Sequence, residues 1–275
     1  MPVNASRHIR RMRGGAQSHL IEAGDGNFYV VKAINNPQHR RVLINEAVAY
    51  VLLRYLQIAA PEVAVISVEA GFLAANPEMS LQLGSHRVPI EPGWHFGSRY
   101  PGDPDQLAVY DFLPDALLGQ VVNLRDFIGM LAFDKWTGNA DGRQAVFFRS
   151  RISEWTAART ATRPGFLAWM IDHGFVFNGP YWDYPDSPLH GIYHRPLVYE
   201  TIRSLDDFSP WLDRIANFPV EVMDQAFRGV PLQWLEGEQE ALEQLLEQLM
   251  ERRGRVAGLL EDCRRAKPAS FPNWR

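Results

Sequence analysis

Asp134-Lys135-Trp136-Thr137-Gly138-Asn139-Ala140-Asp141-Gly142-Arg143-Gln144, followed by the apolar Val146-Phe147-Phe148, a polar insert from Ser150 to Pro164, and Met170-Ile171-Asp172-His173-Gly174, is the stretch on which the reading of this chain turns. Asp141 lies in a Gly- and Asn-containing loop after a predicted helix, whose buried stripe is Leu124, Phe127, Ile128 and Leu131. Asp172 lies where the predicted strand Phe166–Ile171 stops. Pairing of that strand with 146–148 brings both aspartates to one end of a hairpin. A loop carboxylate and a strand-end carboxylate held together can serve as proton acceptor and as ligand of a hard cation. Aspartate also caps ordinary turns, so the case depends on what the rest of the chain supplies.

The bounds are those of an ordinary globular protein. The 275 residues are 46% hydrophobic and 22% charged, enough for one large domain or two lobes with a sizeable core. The formal net charge of −4 argues against a mainly electrostatic nucleic-acid binder. The exception is a small basic N-terminal arm, Arg7, Arg10, Arg11 and Arg13, read as a solvated strand edge. The single cysteine, Cys263, excludes an intramolecular disulfide and a cysteine-based zinc site and fits a reducing cytoplasm. No apolar run reaches the ~18 residues of a membrane span, and the basic start lacks the apolar core of a secretory signal. The expectation is a cytoplasmic protein that does not associate with membranes.

Outward from the central stretch, the N-terminal third predicts three strands: Ile9–Met12, His19–Ala23 and Phe28–Lys32. The first bend carries Gly14-Gly15-Ala16-Gln17-Ser18, and an Asp-Gly hairpin turn spans 24–27. Glycines at such a bend let backbone N–H groups approach an anion. Lys32 ends its strand where its ammonium can reach ligand phosphates. A helix over 40–58, apolar at Ile44, Val48, Val51, Leu52 and Tyr55, carries Glu46 near its buried face as a partner for Lys32. Residues 63–68 predict a buried strand, and 71–106 an irregular, proline-containing insertion. Within it Trp94–Tyr100 reads as an aromatic loop, packed on itself or clamping a substrate. Residues 107–113 predict a strand that closes this first part.

Asn123 and Asp126 have capping-box spacing at the start of the helix that precedes Asp141. Beyond Asp172 comes an aromatic loop, 175–193, then short helices over 197–205, 208–216 and 219–227. One long helix is predicted over 235–265, Glu-rich first and Arg-rich last as the helix dipole favours.

Taken together, Gly14–Ser18, Val30-Val31-Lys32, Asn45-Glu46-Ala47, Gly138–Asp141 and Ile171–Gly174 resemble the HipA-like kinases over residues from about Gly14 to Gly174. The resemblance implies an α+β, two-lobed, protein-kinase-like fold. A small β-rich N-lobe with one main helix would span 1–113, and a larger, mainly helical C-lobe 114–275. It implies ATP and Mg2+ as cofactors and a hydroxyl acceptor, protein or small molecule. Gly14, Gly15, Gln17, Ser18 and Lys32 would hold the nucleotide phosphates, with Glu46 bracing Lys32. Tyr110, Asp111, Phe112 and Leu113 would form the hinge beside adenine. Asp141 would be the catalytic aspartate and Asp172 the metal ligand. The sequence departs from the family at one point. Five residues after the catalytic aspartate such kinases carry a second metal-binding asparagine, and here the position is Val146. Gln144 or Asn139 could supply an amide oxygen instead, and Arg143 could neutralise the acceptor or the transition state.

Three activities follow from these residues. A kinase acting on a protein or other hydroxyl is the first. A small-molecule phosphotransferase is the second, with the aromatic loops lining an acceptor pocket. Val146 raises the third, an ATP-binding pseudokinase.

Overall fold

The Gly24–Asn27 turn shows how local chemistry sets the first elements. Gly26 takes φ +78°, and Asp25 accepts hydrogen bonds from the Asn27 N–H (3.0 Å) and the Tyr29 hydroxyl (2.7 Å). A computed structural model describes residues 1–151 and 164–275 of the chain. The polar insert expected over 150–164 therefore lies mostly outside the described residues. In the described chain this turn joins β2 (His19–Ala23) to β3 (Phe28–Lys32), in antiparallel register. They belong to a closed barrel with β1 (Val3–Arg11), β4 (Val63–Val68) and β7 (Gly93–Arg99), in the order β1-β2-β3-β7-β4. Closure is by two parallel pairs, Val3 with Ile66 and Asn4 with Ser67. The first strand is thus longer than 9–12. Its Arg7, Arg10 and Arg11 are exposed, and so is Arg13 just beyond it; Arg7 is paired with Glu22.

Between β3 and β4 runs α1 (Arg41–Leu56), whose Val42, Leu43, Ile44, Val48, Ala49, Leu52, Leu53 and Leu56 are buried. The insertion after β4 is not irregular. It holds a short helix, α2 (Ala70–Ala75), and a hairpin of β5 (Ser80–Leu83) with β6 (His86–Pro89) that packs Met79, Leu81 and Ile90 onto the barrel. The expected aromatic loop at 94–100 is β7, paired to β3 on one side and β4 on the other. His95 and Phe96 are buried, and a Cβ at Gly97 would stand 2.5 Å from Ile66 Cγ1. A strand buried on both faces at its centre loses the polar–apolar alternation by which strands are read, so the stretch is a strand and not a loop packed on itself. β8 is only Val109–Tyr110, and it joins β9 rather than closing the barrel.

The remaining chain is mostly helical around a three-stranded sheet in which β9 (Gln144–Arg151) lies between β10 (Pro164–Ile171) and β8. After α3 (Asp115–Leu118), α4 (Asp126–Thr137) is buried at every position from Phe127 to Thr137, the charged Asp134 and Lys135 included. Asn123 and Asp126 do bond to each other (2.9 Å), but not as a capping box. Asp126 accepts from Ala59 N–H (3.0 Å), and Asn123 joins Ala168, so the pair ties α4 to the β4 approach and to β10. β9 (Gln144–Arg151) and β10 (Pro164–Ile171) pair antiparallel with Gln144 opposite Ile171. α5 (Trp211–Ala216) and α6 (Val220–Arg228) follow, with single 3-10 turns in place of the helix expected at 197–205.

The long C-terminal helix is four pieces: α7 (Leu232–Leu235), α8 (Gln239–Glu251), a 3-10 turn over Arg252–Arg255, and α9 (Val256–Ala266). The break lies where buried Arg252 turns inward. It donates to the Trp136 carbonyl (3.1 Å) and the Lys135 carbonyl (3.3 Å) at the end of α4, and pairs with Asp186 (2.9 Å).

Candidate active site

Lys32 is the last residue of β3 and only 7% exposed. Its ammonium donates to Glu46 of α1 and to Asp172 Oδ1, the latter at 2.7 Å. Burial opposes the charged lysine, but the Glu46 and Asp172 carboxylates outweigh it and hold its pKa above the usual range. Lys32 in turn holds the Asp172 carboxyl below the ordinary aspartate range, against its own desolvation. Three residues from β3, α1 and the end of β10 thus meet through one cation.

The strand end is shaped for this. Asp172 takes φ +59°, which turns the chain out of β10. Gly174 follows, and a Cβ there would stand 2.4 Å from Val42 Cγ1, so only glycine lets the segment approach α1 this closely. Because Gln144 faces Ile171 in the hairpin, its amide reaches the neighbouring Asp172 and donates to Oδ2 at 2.9 Å. The Gln144 carbonyl oxygen is left beside that carboxylate.

Asp141 stands on a loop fixed from behind. Gly138 ends α4 at φ +61°, and buried Asn139 donates to Asp134 Oδ1 (3.0 Å) while accepting from the Asp141 N–H (3.2 Å). Ala140 N–H donates to the Phe175 carbonyl (3.0 Å), and Gly191 N–H to the Asp141 carbonyl (3.0 Å). The Asp141 side chain itself is exposed, with one oxygen receiving the Gly142 N–H (2.7 Å). Backbone and carboxylate are therefore handled separately: the first is anchored, the second faces out.

Among the residues expected around Asp141, Arg143 and Asn139 point elsewhere. Arg143 is not available to an acceptor. It is 4% exposed and forked onto Asp134, and its Nη1 donates to the Ile171 carbonyl (2.8 Å) and to His173 Nδ1 (3.1 Å). It laces the Asp141 loop to the residues on either side of Asp172. His173 passes the chain on, bonding the Met170 carbonyl through Nε2 (3.0 Å); burial and the adjacent Arg143 keep it neutral, its pKa well below the usual histidine value. Asn139 is likewise no metal ligand, since its oxygen is held by the Asp141 N–H and the residue is 1% exposed. Val146 packs beside Phe148, Leu167 and Trp169, an apolar site that supplies no donor.

In the first bend, Gly14 (φ +117°) and Gly15 are exposed and Ser18 is buried, its carbonyl closing the loop on Met12 N–H at 2.8 Å. The Gln17 side chain turns away from the bend to the β5–β6 hairpin. Of Tyr110–Leu113, Leu113 is in the core; Tyr110, Asp111 and Phe112 are exposed, and Arg195 stacks over Phe112 at 4.6 Å. The aromatics of 175–193 are mainly structural. Phe177 and Trp182 are buried, and Tyr184 donates to the Leu245 carbonyl (2.8 Å).

One residue of the site region carried no role in the sequence reading beyond a motif match. Asn45, fully buried in α1, donates to the carbonyls of Gly174 (2.8 Å), Val176 (3.1 Å) and Gly179 (2.9 Å) and accepts from the Trp182 indole (2.8 Å). Its signal was an amide on an otherwise apolar stripe, next to Ile44 and Val48, which demands polar partners from elsewhere in the chain. Among the described residues no helix is long and apolar enough to cross a membrane, and no cluster of three or more His, Cys, Asp or Glu side chains could hold a metal.

A family described as HipA-like kinase matches residues 6–257 of the chain. No curated protein matches it. Among solved structures, the Golgi casein kinase with Mn/ADP bound superposes with a TM-score of 0.51 at 10% identity, over 97% of this chain and 73% of that one. Fam20 from hydra, solved with sugar, gives 0.50 at 13% identity, over 99% and 87%. At such identities the likeness concerns the fold, which is kinase-like.

Proposed function

The chain belongs to the HipA-like kinases, and from that premise we propose that it transfers the γ-phosphate of ATP to a hydroxyl acceptor. The observation that carries this reading is the Lys32 ammonium shared between Glu46 and Asp172, with the exposed Asp141 carboxylate on the adjoining loop. Phosphoryl transfer asks mainly for positioning and charge neutralisation, and these residues supply both. Lys32, kept charged by its neighbours, would contact the nucleotide phosphates while Glu46 fixes its direction. Gly14 and Gly15 would offer unobstructed backbone N–H groups to the same phosphates.

The oxygen donors suit a magnesium-type cation, which takes few protein ligands and completes its shell with phosphates and water. Asp172 and the Gln144 carbonyl oxygen would hold it, and when bound it neutralises charge on the transferring group. That the Golgi casein kinase was solved with Mn/ADP supports nucleotide and divalent-metal use on this type of fold. The free side of the Asp141 carboxylate would orient an acceptor hydroxyl and take its proton. Phe96, Phe177 and Trp182 are buried in the core and would not line an acceptor pocket, whereas Tyr181 is exposed; the acceptor hydroxyl would be that of a protein or of a small molecule.

Incubation with Mg2+ and labelled ATP, comparing wild type with Asp141→Asn, tests the assignment. ADP release and label transfer are expected to fall at least ~100-fold in the variant; equal rates would remove Asp141 as the base. Val146 favours one second reading, a nucleotide-binding pseudokinase. Its mark is a rise in melting temperature with ATP while wild type produces no ADP.

A further inference from the structure

Gln17 sits in the proposed phosphate loop with φ +50°, a conformation that glycine adopts without cost and glutamine does not. The chain has glycine at positions 14 and 15 of the same bend, yet keeps glutamine here. Its side chain shows what it does. The amide nitrogen donates to the Gln82 carbonyl at 2.8 Å, and the amide oxygen accepts from the Gln82 N–H at 2.6 Å. Arg11 donates to that same oxygen. Gln82 lies in β5, whose one neighbour among the described strands is β6, so the side-chain amide completes the free edge of β5 as a peptide group of a further strand would.

The hairpin that receives Gln17 is itself anchored. Leu81 and Met79 are buried against the barrel strands, and His8 of β1 contacts Glu78, just before β5, at 2.7 Å. On its other flank the loop meets the β3–α1 connection, where Asn36 donates to the Ala16 carbonyl at 3.4 Å. The Gly14–Ser18 bend is thus held from two sides, by the β5–β6 hairpin and by the β3–α1 connection.

We propose that Gln17 is a positioning residue: its amide clips the phosphate loop to the edge of the β5–β6 hairpin, setting the loop in its anion-binding shape before nucleotide arrives. The inference rests on the assignment of this bend to the nucleotide phosphates. A glycine-containing loop that must order on binding weakens affinity, and a loop ordered beforehand does not. The clip therefore acts on the phosphates and not on the base.

The test compares Mg-ATP and adenosine binding, by calorimetric titration or competition, in wild type, Gln17→Gly and Gln17→Ala. Gln17→Gly relieves the backbone conformation whereas Gln17→Ala keeps it and both remove the amide, so a purely conformational role for this position would make the two variants differ in ATP affinity. The clip predicts ATP affinity about three- to tenfold weaker in both variants, the scale of a lost pair of exposed hydrogen bonds. It predicts adenosine affinity unchanged. Gln82→Pro, which deletes the N–H on the hairpin side of the same bond, is expected to weaken ATP in the same way, provided circular dichroism shows the fold retained. Unchanged ATP affinity in Gln17→Gly, or equal loss for ATP and adenosine, overturns the proposal. Wild type that binds neither overturns the nucleotide assignment and the clip with it, a result distinct from the first two.

Discussion

Lys32 concentrates the chemistry of the site because removing it strands two carboxylates. Glu46 is 4% exposed, and its charge is tolerated there only beside the ammonium. Lys32→Met keeps the length and apolar bulk of the stem but leaves Glu46 buried and unpaired. Loss of one partner of such a pair costs about 3 kcal/mol. We therefore expect a drop of that size in unfolding free energy by urea titration, together with loss of ADP production. If stability is unchanged, the Lys32–Glu46 pair is not the buried contact described. At this scale the sequence served well for residues whose position follows from local chemistry: a lysine ending a strand, a carboxylate after a strand. It served badly for Arg143 and Asn139. Their closeness to Asp141 suggests an acceptor contact for Arg143 and a metal ligand in Asn139, but Asp134, nine and five residues back on α4, claims both side chains.

Helix α1 is the element that couples the barrel to the segment after Asp172. It presents Glu46 to Lys32 and, one residue earlier, Asn45 to three carbonyls and an indole. Arg41 adds a further tie, stacking over Trp182 at 4.2 Å and donating to the Pro180 carbonyl at 2.8 Å. Asn45→Ala would leave the Trp182 N–H and the three carbonyls without this partner in a dry interior. Such losses sum to about 2–4 kcal/mol. The expected result is a lower melting temperature and faster amide exchange over 174–182, with exchange in β2 and β3 little altered. Equal acceleration throughout would mean that α1 does not hold this segment locally. Elements with periodic apolar faces were legible from sequence, α1 and α4 above all. β7 and the break at Arg252 were not, because one is buried on both faces and the other is made by contacts with the end of α4.

For the whole molecule, the buried histidines His19 and His95 contribute to the response to acid. Burial lowers the pKa of His95 to about 4, and burial together with His8 and Arg11 lowers that of His19 to about 4. In the unfolded chain these residues take up protons below about pH 6.5. The unfolded state then binds more protons than the native one, so stability is full above about pH 6.5 and is lost as pH falls toward about 4. His95 alone contributes a slope of about 1.4 kcal/mol per pH unit through that window. Urea midpoints measured from pH 7 to pH 4 should decline more steeply in wild type than in His95→Gln, which retains an acceptor for the Ile34 N–H (2.9 Å). Identical slopes would show that His95 titrates normally in the fold.

The sequence by itself determined the β2–β3 hairpin, helices α1 and α4, and the places of Lys32, Glu46, Asp141 and Asp172 on their strands, helix and loop, because each is written in nearest-neighbour chemistry: turn residues, periodicity, a charge at the end of an apolar run. Only the tertiary structure decided which polar side chains look outward. Gln17, Asn45, Asn139, Arg143 and Arg252 are bonded to residues distant in the chain or on other elements, and a buried donor or acceptor takes whichever partner packing brings within reach.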